Sequence, residues 1–110
     1  MKKVVKYNKL IRDNIPKIIK EAGWKPTIRT LRKDEFLKAL KKKVSEEAKE
    51  LIQAKDKKGI IDEIVDIQEL LDVLASEIKL TKAEIKKHQI AKRKKRGGFK
   101  KHLFLVKEEK

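Results

Sequence analysis

The chain of 110 residues contains no cysteine. Disulfides, a thiolate-held metal and a thiol nucleophile are therefore excluded. Its two histidines, His88 and His102, stand apart from any residues that could join them as metal ligands, so neither is assigned chemistry. Aromatic residues make up 5% of the sequence, and with so few of them Tyr7, Trp24 and Phe99 read as core side chains rather than as platforms for a nucleotide base. No apolar run reaches the length of a bilayer span, and none follows Met1 as a leader would. The expectation is a cytoplasmic protein with no membrane partner. A chain of this length forms one domain, residues 1–110, with a modest core that association with further copies would enlarge.

Charge is what the chain has in excess. Charged residues make up 45% of it, and 32 lysines and arginines against 17 acids give a formal charge of +15. The run KRKKR, residues 92–96, carries the electrostatic footprint of a nucleic-acid binder, whose affinity would come from phosphate contacts and fall with salt. One reading is accordingly a basic, helical nucleic-acid-binding protein without catalytic activity, its acids merely balancing charge.

Local signals predict a mainly α fold, an antiparallel helical bundle with short peripheral β strands near the N-terminal third and the C-terminus. VVKYNKLIR opens the chain as a short strand before a turn at Asp13 and Asn14. Pro16 suits a first helical turn and Gly23 a helix end. Residues 24–31, with Pro26 and the run TIRTL, suggest a second strand. Asp34 is expected to cap a long helix over residues 35–54, and KDKKG, residues 55–59, to form a polar turn ending in glycine. A second long helix follows over 60–79. Thr81 and Glu84 have capping-box spacing for a third, which Gly97 and Gly98 stop after Arg96. FKKHLFLV is strand-like by composition.

Against the basic background, the stretch EEAKELIQAKDKKGIIDEIVD, residues 46–66, gathers acids. At about 100° per residue, Leu37, Leu40, Val44, Ala48 and Leu51 form one stripe of the first long helix. Glu47 lies at its edge, Glu50 one position further round, and Glu46 almost opposite. Glu63 and Asp66 fall inside the broad apolar arc of the second long helix. A carboxylate turned toward a core is costly unless its charge is compensated. Glu47 and Glu50 are three apart, as are Glu63 and Asp66, so each pair stacks on one side of its helix, and an antiparallel hairpin can set the pairs face to face. Converging carboxylates repel, and without a cation at least one should bind its proton more tightly than usual. An all-oxygen cluster suits Mg²⁺ or Mn²⁺ better than zinc. Glu46, Asp62, Glu69 and Asp72, pointing elsewhere, read as solvated or ion-paired.

Glu46, Glu47 and Glu50 spell EExxE, and Glu63 and Asp66 spell ExxD. The arrangement resembles the all-α nucleoside triphosphate pyrophosphohydrolases, the MazG-like superfamily. YNKLIRDNIPKII at the start and RGGF near the end resemble its phosphoribosyl-ATP pyrophosphohydrolase-like subgroup. The resemblance implies that Glu47, Glu50, Glu63 and Asp66 bind Mg²⁺, with Mn²⁺ an alternative, and that Glu46 supports the site or a second metal. It further implies cleavage of a nucleotide between its α and β phosphates, giving a monophosphate and pyrophosphate, and a homodimer or dimer of dimers. One of Glu47 and Glu50 would be the catalytic base that takes the proton of the attacking water. A polyphosphate beside so many acids also needs cations, for which Lys9, Arg12, Lys95 and Arg96 are the candidates. Arg96 is favoured among the basic run because it abuts Gly97 and Gly98, where backbone can approach a phosphate.

Overall fold

The computed structural model describes residues 3–110. It contains four helices: α1 over Ile15–Glu21, α2 over Lys33–Gln53, α3 over Lys57–Glu77 and α4 over Lys82–Arg96. Pro16 lies in the first turn of α1, where its missing N–H would have had no helical partner, and Gly23 follows the helix at φ +88°, a left-handed conformation free of steric cost only in glycine.

The start of α2 lies two residues earlier than an Asp34 cap requires. Arg32 holds the N-cap position and its N–H donates to Glu35 Oε1 at 3.3 Å, while the Arg29 guanidinium donates to Glu35 Oε2 at 2.9 Å. Arg29 first, and then the Arg32 N–H, hold the Glu35 carboxyl below its ordinary range. Asp34 sits in the first turn instead, where its charge opposes the positive helix end.

The connection between α2 and α3 is also shorter than a turn over residues 55–59. Asp56 caps α3 by accepting the Gly59 N–H at 2.8 Å, so Lys57, Lys58 and Gly59 are already helical. A Cβ on Gly59 would stand 3.0 Å from Asp56 Oδ1 and 3.4 Å from Ala54 Cβ. This glycine allows a close cap; it does not end a loop. At its other end α3 closes with Lys79 at φ +58°, the Lys79 N–H donating to Ser76 O and the Leu80 N–H to Ala75 O. Thr81 and Glu84 then form the expected capping box of α4, and Gly97 ends that helix.

With so short a connection, α2 and α3 lie antiparallel, and they are the only two helices in contact among the described residues. Leu40, early in α2, is 1% exposed and Ala75, late in α3, is 8% exposed. These two are the only buried apolar residues among those described. The radius of gyration is 19.0 Å, against about 13 Å for a compact domain of this size. The helix α4 touches neither α2 nor α3.

Among the described residues there is no strand. Residues 4–12, 24–31 and 99–106 are irregular, because a β segment is stable only when another strand pairs with its backbone, and these three do not pair. Their β-favouring residues are left in the open: Val4, Ile28, Leu103 and Phe104 are all exposed. Tyr7, Trp24 and Phe99 are exposed as well, Phe99 to 97%, so the chain does not use them as core.

Candidate metal centre

Glu47 and Glu63 lie eight residues on either side of Lys55, near the middle of the α2–α3 connection, so an antiparallel hairpin brings them level. Glu50, one turn from Glu47, joins them. One carboxylate oxygen from each of Glu47, Glu50 and Glu63 lies within 4.8 Å of the other two. Glu47 is buried, Glu63 half-buried and Glu50 exposed, so the cluster runs from the helix interface out to solvent.

Its charge is only partly compensated. Glu47 Oε2 and Glu63 Oε2 are both buried and have no hydrogen-bond partner. The nearest cation to Glu47 is Lys43, whose Nζ is 3.9 Å from Oε1 and 3.7 Å from Glu46 Oε2. One ammonium shared by two carboxylates leaves Glu63 and Glu50 without a counter-charge. Burial, and then the neighbouring Glu63 and Glu50 carboxylates, push the Glu47 carboxyl up to about 7. Two inward-facing oxygens without donors, in a set that offers oxygen alone, fit a hard dication such as Mg²⁺ or Mn²⁺ and not a nitrogen- or sulfur-seeking metal.

Asp66 stands outside this trio. Its Oδ1 accepts from Arg12 Nη2 at 2.7 Å, tying the segment before α1 to α3. Arg12, Lys9 and Lys43 line a cleft of about 250 Å³ together with Glu47 and Asp66. Lys9 Nζ also lies 5.1 Å from the centre of the Tyr7 ring, a cation–π contact. Lys95 and Arg96 are not brought to the cluster, because α4 lies apart from α2 and α3. Glu46 is half-buried beside Lys43 and does not point wholly away from the stripe.

Lys43 was missing from the residues singled out by sequence. The signal was available, since Lys43 precedes Glu46 by three and Glu47 by four residues, the spacings at which helix side chains meet. The Arg12–Asp66 pair, 54 residues apart in the chain, had no such signal.

A family model described as Phosphoribosyl-ATP pyrophosphohydrolase matches residues 4–94 of this chain. The match includes Arg12, Glu47, Glu50, Glu63 and Asp66 and stops before Lys95 and Arg96. An uncharacterized protein of Mycolicibacterium smegmatis is 50% identical over 42 residues, which are 38% of this chain and 43% of that protein. The chain thus spans less than half the length of that curated relative. No solved structure matches.

Proposed function

Because the chain belongs to the phosphoribosyl-ATP pyrophosphohydrolase family, we propose that it is a metal-dependent nucleotide pyrophosphohydrolase, cleaving a nucleoside triphosphate or phosphoribosyl-ATP between the α and β phosphates. The observation that carries the metal dependence is the pair of buried, donorless oxygens of Glu47 and Glu63. Glu47, Glu63 and Glu50 would hold Mg²⁺ or Mn²⁺, with Asp66 one turn further along α3 as a fourth ligand. When bound, the ion supplies charge neutralisation for the polyphosphate and polarisation of water.

The chain's own residues do the rest. Lys9, Arg12 and Lys43 line the cleft beside the acids and offer cationic donors to phosphate oxygens. Glu50, the exposed member of the trio, has access to solvent and accepts a proton from the attacking water. The water oxygen forms a bond to the α phosphorus, the bond from that phosphorus to the bridging oxygen breaks, and pyrophosphate leaves with the electron pair. The half-buried Glu46 holds Lys43 in place at 3.7 Å.

A second copy of the chain is part of this reading. Two buried apolar side chains among the described residues are too few for a stable core, while Ile61, Ile64, Val65 and Leu71 leave an apolar face of α3 open. Pairing through that face would make a homodimer of helical hairpins, or a dimer of dimers. A second reading draws on α4, which carries eight lysines and arginines against one glutamate and stands clear of the hairpin. That helix has the charge and access to bind nucleic acid through phosphate contacts.

Incubation with a panel of nucleoside triphosphates and phosphoribosyl-ATP, in magnesium or in EDTA, separates the two. Pyrophosphate should appear only with magnesium and should vanish in Glu63→Gln. Magnesium-independent release, or none from any of these nucleotides, would sink the enzyme reading; salt-sensitive nucleic-acid binding that Glu63→Gln leaves unchanged would favour the second.

A further inference from the structure

Asp66 follows Glu63 by three residues on the same side of α3, yet its carboxylate faces Arg12 and not the acidic trio. The contact is a single one, Arg12 Nη2 to Asp66 Oδ1, and lacks the second bond that makes an arginine–carboxylate fork strong. Arg12 is 57% and Asp66 38% exposed, and ion pairs this open to solvent are weak. Arg12 also precedes α1 in an irregular segment, so no helix fixes its side chain. It lines the same cleft as Glu47 and Asp66. At about 250 Å³ the cleft is smaller than the ~300–1,000 Å³ of sites that take whole ligands of drug size; it is suited to a phosphate chain, and a guanidinium is the side chain whose planar donors match phosphate oxygens.

We propose that Arg12 is an exchangeable counter-ion: it neutralises Asp66 in the metal-free chain, and when Asp66 turns to a divalent cation in the cleft, Arg12 turns to the phosphates of the ligand. This inference rests on the metal-dependent reading above. It assigns Arg12 two alternating partners, so that cation and polyphosphate binding are coupled through one side chain. Removing Arg12 should therefore strengthen binding of the cation while weakening binding of the anion.

The experiment titrates the full chain with Mn²⁺, followed by electron paramagnetic resonance, and then with pyrophosphate at saturating Mn²⁺, followed by calorimetry. Arg12→Ala, and Arg12→Gln as a variant of similar size, should bind Mn²⁺ about two- to fivefold more tightly than the wild type and pyrophosphate about tenfold more weakly. Lys9→Ala removes an equal charge from the same cleft without touching Asp66, and should change Mn²⁺ affinity less than either. Asp66→Asn should bind Mn²⁺ more weakly, and adding Arg12→Ala to it should bring no gain. If Mn²⁺ affinity in Arg12→Ala equals that in Lys9→Ala, or if the gain persists undiminished with Asp66→Asn, the exchange is overturned. Should Asp66→Asn alone abolish binding, the comparison of Arg12→Ala with Lys9→Ala decides. Unchanged pyrophosphate affinity in Arg12→Ala overturns the phosphate half of the proposal. A wild type that binds no Mn²⁺ overturns the metal reading itself, an outcome distinct from all of these.

Discussion

Glu47 and Glu63, on the two antiparallel helices, each bury a carboxylate Oε2 with no hydrogen-bond donor, and they do so within one cluster shared with Glu50. Helix pairing brings together like charges that repel, so the metal-free fold carries an electrostatic penalty at the place where its chemistry is proposed to occur.

That penalty sets a pH dependence. The Glu47 carboxyl titrates near 4.5 in an unfolded chain and at about 7 in the folded one. Between those values the folded chain binds a proton that the unfolded chain has released, so stability falls as pH rises through the window. The full loss is at most ~3 kcal/mol. Thermal melts in EDTA from pH 4 to 8 should show it, and added Mg²⁺ should restore more stability at pH 8 than at pH 5, because the ligands must be deprotonated. Melts that rise steadily with pH in EDTA would contradict this.

Replacing Glu47 by Gln removes the charge while keeping the shape. In EDTA at pH 8 the variant should melt about 4–8 °C above the wild type, equivalent to ~1 kcal/mol. It should gain little or nothing from Mg²⁺, and pyrophosphate release should drop by roughly a hundredfold or more. Stabilisation together with lost activity separates this residue from one that merely supports the fold.

Leu40 is the only side chain fully buried between the helices among the described residues. Leu40→Ala should cost ~2–5 kcal/mol, a large part of what a small domain possesses. Circular dichroism at room temperature should show reduced helix content, and Mg²⁺ should recover part of it.

If copies pair through the open face of α3, the melting temperature should rise with protein concentration, and sedimentation should give twice the 12.9 kDa of one chain or a higher even multiple. A fully helical species that sediments as one chain at all concentrations would remove the dimer from the account.

Local signals were legible where they were self-contained. The Thr81–Glu84 capping box and the Pro16 and Gly23 boundaries each depend on residues within one turn, and the structure has them. The mainly helical fold and the acids that meet between α2 and α3 follow from helical periodicity plus a short connection. The cap of α3 was misread because the Asp56 side chain, and not Gly59, begins the helix. The strands failed for a different reason: composition registers β preference, but a strand exists only where a partner edge is present, and residues 4–12, 24–31 and 99–106 find none. The turning of Asp66 toward Arg12 was illegible because it depends on how an irregular segment runs across α3.

The most direct test of the account is the anomalous scattering of crystals grown with Mn²⁺. A single peak should lie between α2 and α3, within about 2.0–2.3 Å of Glu47 Oε2 and Glu63 Oε2. Crystals of folded protein with no peak between these helices, or with Mn²⁺ held only at surface acids elsewhere, would contradict it.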